Sequence, residues 1–304
     1  MAYKPLIEIL QHELARPHLM AAIDILQMED SNRQEEATRE IKQALKIYPE
    51  YDSAHTVLGW QLYQDGNFDK AMEKLEEALN IDPNNFATHY TLAVFLNSGG
   101  DLERAIQHYR EAIKHFPLFY RARYDLASAL LKRNDFEGAE KELKEIIRLE
   151  PQAKTAYYDL GRLYLRKKDF DKAIQEFQQA IKIDPKYKEA YFFLGWCYAV
   201  KKEWDKSIEQ FRQATSIDPE LGCTHLCLGA ALMEKGEVGE AEKEIREAIR
   251  IDPNNKYAHR ELAKYLDSKG DKQEAIKACR EALKIDPNFE DATDLLKEIQ
   301  SKKD

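Results

Sequence analysis

Residues 154–187 read KTAYYDLGRLYLRKKDFDKAIQEFQQAIKIDPKY, and the folding of this stretch decides the folding of the chain. Tyr157, Leu160, Gly161 and Tyr164 recur at helical spacing. Lys167-Lys168-Asp169-Phe170 interrupts that stripe, and Ala173, Phe177 and Ala180 begin a second one that ends at Asp184-Pro185. Apolar residues at three- and four-residue intervals, broken by a short polar run, predict two amphipathic helices joined by a tight turn. Gly161 and Ala173 are small enough for the two helices to approach closely. Proline has no N–H and clashes with the preceding turn, so Pro185 separates this unit from the next.

The same stretch recurs in both directions. Pro49, Pro83, Pro117, Pro151, Pro185, Pro219, Pro253 and Pro287 are spaced by seven equal steps of 34 residues. A fixed period of this size marks an array of stacked supersecondary units, each burying its apolar face against its neighbours.

Residues 154–187 resemble the tetratricopeptide repeat pattern W-x2-L-G-x2-Y, then A-x3-F, then P, with Tyr157 in the tryptophan place. Residues 188–221 match it as Tyr191, Leu194, Gly195, Tyr198, Ser207, Phe211 and Pro219. Residues 52–85 supply His55, Leu58, Gly59, Leu62, Ala71, Leu75, Ala78 and Pro83. Residues 86–119, 120–153, 222–255 and 256–289 keep Leu92, Leu126, Leu228 and Leu262 in register, with Ala105, Ala139, Ala241 and Ala275. Ile146 stands where the pattern prefers alanine. The resemblance covers seven copies over residues 52–289 and implies an all-α fold, a right-handed superhelical solenoid of stacked helix–turn–helix repeats. Residues 18–51 read as an eighth, divergent copy, with Ala37, Ile41, Ala44 and Pro49 in place but Asp24 where leucine belongs. Residues 1–17 are expected to hold a separate amphipathic helix over 6–15, ended by Pro17, with Leu6, Ile7, Leu10 and Leu14 on its apolar face. Residues 290–304 are expected to form a capping helix, with Leu296 in register, and a polar tail.

Composition narrows the function. The formal net charge of -9 disfavours broad nucleic-acid binding, which needs a basic footprint. Charged residues make up 33% and the mean hydropathy is -0.66, so the surface is well solvated. Four cysteines in 304 residues imply no disulfide framework. Glu8 and Glu13 interrupt any signal-like apolar run, and no stretch approaches the ~18 apolar residues of a membrane span, so a cytoplasmic protein is expected.

Chemistry-bearing residues are weighed against the repeat. His55, His89, His225 and His259 recur at multiples of 34 in the tryptophan place, which is a packing position between the two helices. No nucleophile, base and acid accompany them. Cys223 and Cys227 share a helix face at i,i+4, but a zinc site needs about four ligands and no second pair stands nearby in sequence. Phosphate-loop and dinucleotide fingerprints are absent. Gly99-Gly100 falls at the same turn as Gly66, Gly236 and Gly270. The reading is a non-enzyme with no cofactor and no metal.

The resemblance further implies that the first helices line a concave groove where partner proteins bind as extended peptides or helices. Identical repeat phase makes ladders of residues 34 apart. One ladder reads Thr56, Tyr90, Tyr124, Tyr158, Phe192, Leu226 and Arg260, and another Trp60, Val94, Ser128, Arg162 and Trp196. Rings beside arginine are a hot-spot composition, although the same rings also suit helix-on-helix packing. The expected groove site is Trp60, Tyr90, Arg121, Tyr124, Tyr158, Arg162, Arg166, Phe192 and Trp196, within a groove centred on residues 86–200. Arg121, Lys132, Arg162 and Arg166 would attract an acidic group, unless local pairs with Asp125 and Asp159 absorb the charge. Some family members hold a chaperone's terminal carboxylate with asparagines. Here those places hold Trp60, Val94, Ser128, Arg162, Thr91, Asp125 and Asp159, which argues against that partner. The expected role is a protein-interaction scaffold for an apolar or aromatic, acidic partner. The alternatives are a non-catalytic, substrate-recruiting subunit of an enzyme complex and a self-assembling oligomer.

Overall fold

The computed structural model describes residues 4–27 and 33–302, with side chains from residue 10 onward. The described residues form 17 α-helices and no strand. They fall into two units, Met1–Pro151 and Gln152–Asp304.

The first unit holds α1 (Lys4–Gln27), α2 (Gln34–Ile47), α3 (Asp52–Gln64), α4 (Phe68–Ile81), α5 (Phe86–Ser98), α6 (Leu102–His115), α7 (Tyr120–Lys132) and α8 (Phe136–Leu149). The second holds α9 (Lys154–Arg166), α10 (Phe170–Ile183), α11 (Lys188–Val200), α12 (Trp204–Ile217), α13 (Gly222–Lys235), α14 (Val238–Ile251), α15 (Lys256–Ser268), α16 (Lys272–Ile285) and α17 (Glu290–Ser301). Within each unit an odd-numbered helix pairs with the even-numbered helix that follows. It also packs on the even helix before it and, from α3 onward, on the odd helices beside it. The odd helices therefore form one continuous face in each unit.

A small-to-large match runs through the pairs from α3–α4 to α13–α14. In α15–α16 Ala263 meets Cys279, smaller than the other partners, whereas α1–α2 holds Ile25 and Ile41 at these places. Gly59, Ala93, Ala127, Gly161, Gly195, Gly229 and Ala263 occupy one place on the odd helices. Leu75, Tyr109, Leu143, Phe177, Phe211, Ile245 and Cys279 occupy one place on the even helices, and all are buried. Gly161 shows why the small residue is needed: a Cβ there would lie 2.7 Å from Cε1 of Phe177. Burying each large side chain stabilises its pair by about 1.5–3 kcal/mol.

The turns repeat as closely as the cores. Asp184, Asp218, Asp252 and Asp286 each accept a hydrogen bond from the backbone N–H two residues on, across the proline. Three of them also accept from the lysine that opens their own repeat: Lys154 to Asp184 at 2.5 Å, Lys188 to Asp218 at 2.6 Å and Lys256 to Asp286 at 2.5 Å. From α3–α4 onward, the turn inside each pair holds one left-handed residue. Gly66, Gly100, Gly236 and Gly270 take it freely, whereas Asn134, Lys168 and Lys202 sit there at φ near 60°.

The N-terminal region departs from expectation. No break occurs at Pro17, which lies inside the single helix α1. Ala15, Leu19, Ala22 and Ile25 form one buried stripe along this helix, against Ala37, Ile41 and Ala44 of α2. That continuous packing offsets the hydrogen bond the proline removes. Asp24, the residue out of place in the repeat pattern, is exposed, and Ile25 takes the inward direction. Leu10 and Leu14 are exposed, while the side chains of Leu6 and Ile7 lie outside the described part. Residues 28–32 of the divergent copy also lie outside it. At the other end α17 buries Ala292 and Ile299, with Leu296 packed beside them, and residues 303–304 of the predicted tail are outside the described part.

Candidate functional site

The histidine ladder is structural. His55, His89, His225 and His259 each donate from Nε2 to the carbonyl of the proline six residues earlier, at 2.9–3.0 Å. Arg123 holds the same place and donates to Pro117 from Nε and Nη2 at 3.2 and 3.1 Å. These side chains fasten the start of an odd helix to the turn before it. The sequence signal for this clip was the constant six-residue offset from proline.

The predicted groove residues divide between the two units. In the first, Trp60 is 39% exposed and stacks on Phe95 at 5.6 Å. Tyr90 is half-buried, and its ring lies 4.7 Å from that of Phe119. The Tyr90 hydroxyl donates to Asp125 at 2.8 Å, and Arg121 Nε lies 3.5 Å from the same carboxylate oxygen. Burial pushes the Tyr90 phenol well above its ordinary range, and Asp125 pushes it further. Tyr124 is half-buried as well, one helical turn from the exposed Arg121.

In the second unit the same ladder is packed from behind. Tyr158 is half-buried among Phe177, Tyr187 and Phe193, with centroids at 6.0, 5.1 and 5.8 Å. Arg162, exposed, lies over the Tyr158 ring at 5.6 Å and the Phe193 ring at 6.0 Å. Its nearest acidic neighbour is Asp159 at 3.8 Å. Burial raises the Asp159 carboxyl above the usual range, and Arg162 only partly opposes this. Phe192 packs on Phe211 and Phe193, and Arg166 is exposed at the end of α9. Tyr90, Tyr158 and Phe192 thus each pack against rings of neighbouring helices or turns and remain partly exposed. The anticipated local pairs of Arg121 and Arg162 are present.

Sequence reasoning missed a cavity of about 600 Å³ on the odd-helix side of the second unit. Trp196, 39% exposed, forms one wall, with Phe211, Cys227, Ala230 and Met233 around it and Glu261 and Lys264 at the far rim. Its cause is a step in the ladder. The residue 34 after Trp196 is Ala230 and the next is Lys264, so the indole has no neighbour of its own size on that side. Glu261 is buried and neutralised by Arg260 Nη2 at 2.7 Å and Lys264 Nζ at 3.1 Å. Burial pushes the Cys227 thiol up to about 12. The surface offers ring faces, a largely apolar hollow and fixed charges of both signs.

Among the described residues no group of three or more His, Cys, Asp and Glu side chains is arranged to hold a metal ion. Likewise no helix is long and apolar enough to cross a membrane.

Comparison with known proteins agrees with the geometry. Profiles of the tetratricopeptide repeat match residues 94–153, 124–188, 158–221 and 228–288, and a second such profile matches 62–107. No curated protein sequence matches the chain. The C-terminal part of a TPR repeat-containing protein from Cytophaga hutchinsonii is similar in fold, with a TM-score of 0.66 at 18% identity over 79% of this chain and 99% of that one. YrrB, described as a TPR protein with an unusual peptide-binding site, superposes with a TM-score of 0.54 at 20% identity, covering 62% and 97%. MamA matches at 26% identity with a TM-score of 0.51, covering 56% and 92%.

Proposed function

The chain belongs to the tetratricopeptide repeat family, whose fold serves protein interaction, and on that premise we propose that the odd-helix face of the second unit grips a segment of a partner protein. The observation that carries this reading is the cavity beside Trp196. It is an apolar hole open to solvent on a rigid helical face, and it exists because Ala230 follows an indole in the ladder. Pockets of this size lined by aromatic and aliphatic side chains, with a few polar groups at the rim, are the usual form of a binding site. Tyr158, Phe192 and Arg162 continue the surface along α9 and α11 with ring faces and a guanidinium that is 55% exposed and meets Asp159 only at 3.8 Å, so the partner segment carries an apolar or aromatic anchor and an acidic residue. YrrB shares the fold and is described by a peptide-binding site. In the first unit, taken by itself, Trp60, Tyr90, Arg121 and Tyr124 present similar chemistry on the odd helices of that unit.

The test selects 12-residue peptides from a displayed random library on the full chain and measures them by fluorescence anisotropy. Peptides with one aromatic or large aliphatic residue and one carboxylate should be enriched. Ala230→Leu, which fills the cavity without touching the buried core, should weaken them about tenfold and leave the melting temperature in place. Selected peptides that bind Ala230→Leu as well as the wild type, or a failure to select any, overturn the assignment.

A further inference from the structure

An electrostatic clasp recurs at the turns inside the helix pairs, and at one of them it is left open. Arg133, Lys167, Lys201, Lys235 and Lys269 occupy one place, at the end of an odd helix. In three of these turns the cation bridges two acids, one at the start of the preceding even helix and one two residues on. Arg133 meets Glu103 at 2.9 Å and Asp135 at 2.7 Å. Lys201 meets Asp171 at 2.5 Å and Glu203 at 3.6 Å, and Lys235 meets Asp205 at 2.5 Å and Glu237 at 2.7 Å. At the end of α5 both acids are kept, as Asp69 and Asp101, but Gly99 stands in the place of the cation.

The backbone does not ask for glycine there. Gly99 has φ -78° and ψ -4°, close to the values at Arg133, Lys167 and Lys201. A Cβ would meet only carbonyl oxygens, at the ordinary contact distances of 3.5 and 3.7 Å. What the missing side chain leaves is a hollow of about 430 Å³ lined by Tyr63, Phe68, Met72, Phe95, Gly99 and Asp101. Tyr63 stacks on Phe95 at 3.8 Å, and Phe68 stands edge-on to Tyr63 at 5.1 Å. Phe68 is 57% exposed, whereas Leu102, Phe136, Phe170 and Trp204 at its place are partly covered. Asp69, next to Phe68, makes no ion pair among the described residues, and Asp101 meets Arg104 only at 3.8 Å.

We propose that this opening takes a lysine or arginine side chain of a partner protein, which completes from outside the clasp that Arg133, Lys201 and Lys235 close within the chain. The site lies at the turns of the α3–α4 and α5–α6 pairs and is independent of the function proposed above. The internal copies define the occupant. Its head is a cation, because two carboxylates flank the gap as they flank those three residues. Its body is an alkyl stem, because rings and Met72 line the hollow, and lysine and arginine lay their stems on apolar surface while the charge stays in water. Arg104 does not bar it. Lys206, at the equivalent place, holds Glu203 at 2.6 Å while Lys201 reaches the same carboxylate. Nor does helix capping: Asp101 accepts from the Arg104 N–H, as Asp135 accepts from the Gly138 N–H while it holds Arg133. An acidic segment would instead bring like charge to Asp69 and Asp101.

The experiment titrates the full chain, by amide NMR, with the heptapeptide Gly-Ser-Ala-Lys-Ala-Ser-Gly, with the same peptide carrying norleucine in place of lysine, and with n-butylamine. The lysine peptide should shift amides of residues 65–72 and 97–104, and the norleucine peptide should bind about fivefold more weakly. Gly99→Lys supplies the cation within the chain, so it should abolish these shifts and leave the melting temperature unchanged or raised. Asp69→Asn should lower the affinity about threefold, the scale of one exposed charge pair. Ala230→Leu should change nothing, which separates this site from the cavity beside Trp196. No shift in the wild type, equal binding of the norleucine peptide, or undiminished binding by Gly99→Lys or by Asp69→Asn overturns the proposal. If n-butylamine binds as tightly as the lysine peptide, the site belongs to small free amines and the proposal is likewise overturned.

Discussion

Replacing Gly161 with alanine tests the packing logic of the repeat, because two effects of known size oppose each other there. Glycine inside a helix costs about 1 kcal/mol relative to alanine, so helix propensity alone predicts stabilisation. The structure predicts the reverse. The new Cβ would stand 2.7 Å from Cε1 and 2.9 Å from Cδ1 and Cζ of Phe177, where carbon atoms prefer roughly 3.5–4.0 Å. The ring has to retreat by about 0.8 Å or more to restore that distance. It is fully buried and stacks against Phe193 at 5.8 Å, with Tyr158 at 6.0 Å, so the retreat displaces two further rings. Overpacking of this kind costs about 1–3 kcal/mol, and the constrained ring belongs in the upper part of that range. Subtracting the propensity gain leaves a net destabilisation of about 1–2 kcal/mol. Gly239→Ala is the matched control: nothing lies within 4 Å of its Cβ position, so it should stabilise by up to about 1 kcal/mol. Repeat arrays open locally, so the readout is hydrogen exchange of α9 and α10 for the first variant and of α14 for the second, alongside urea unfolding. If Gly161→Ala protects α9 and α10 as well as Gly239→Ala protects α14, close helix approach is not what holds the pair together.

Three further outcomes are expected. The carboxyls of Asp184, Asp218 and Asp286 are held below the usual range, foremost by the opening lysines, so the stabilisation they supply is complete above the unfolded aspartate pKa of about 3.9 and is lost as pH falls through their lower folded values; Lys154→Met should therefore flatten the acid limb of a stability-versus-pH curve for α9 and α10. Cys223 is exposed, whereas burial raises the thiols of Cys197 and Cys227 to about 12 and that of Cys279 to about 11, so mass spectrometry after brief iodoacetamide treatment at pH 7.5 should find Cys223 alkylated first. Pro17→Ala restores a backbone donor inside α1 and should slow hydrogen exchange around residues 13–17, with a gain of up to about 3 kcal/mol in local stability; unchanged exchange would mean that the helix already opens at that point.

The prolines every 34 residues and the paired helical stripes determined the all-α repeat fold, because each unit is a local object whose helices, turns and small-to-large contacts lie within one stretch of sequence. Gly161 facing Phe177 is legible as a small residue and a large residue at fixed places in the repeat. Other features depend on what stands beside a residue. Pro17 reads as a stop signal, yet α1 runs through it because Ala15, Leu19, Ala22 and Ile25 gain more from packing on α2 than one backbone hydrogen bond is worth. Residues within a ladder read as equivalents, but tertiary packing sets how much of each ring is exposed, so Tyr90 and Tyr158 of one ladder stay half-buried while Trp196 of the other opens on a cavity beside the small Ala230. Gly99 was present in the string of letters, but the hollow it leaves beside Phe68 and Asp101 required coordinates. Periodicity specifies which residues are equivalent, whereas exposure depends on the neighbours that stacking brings to each one.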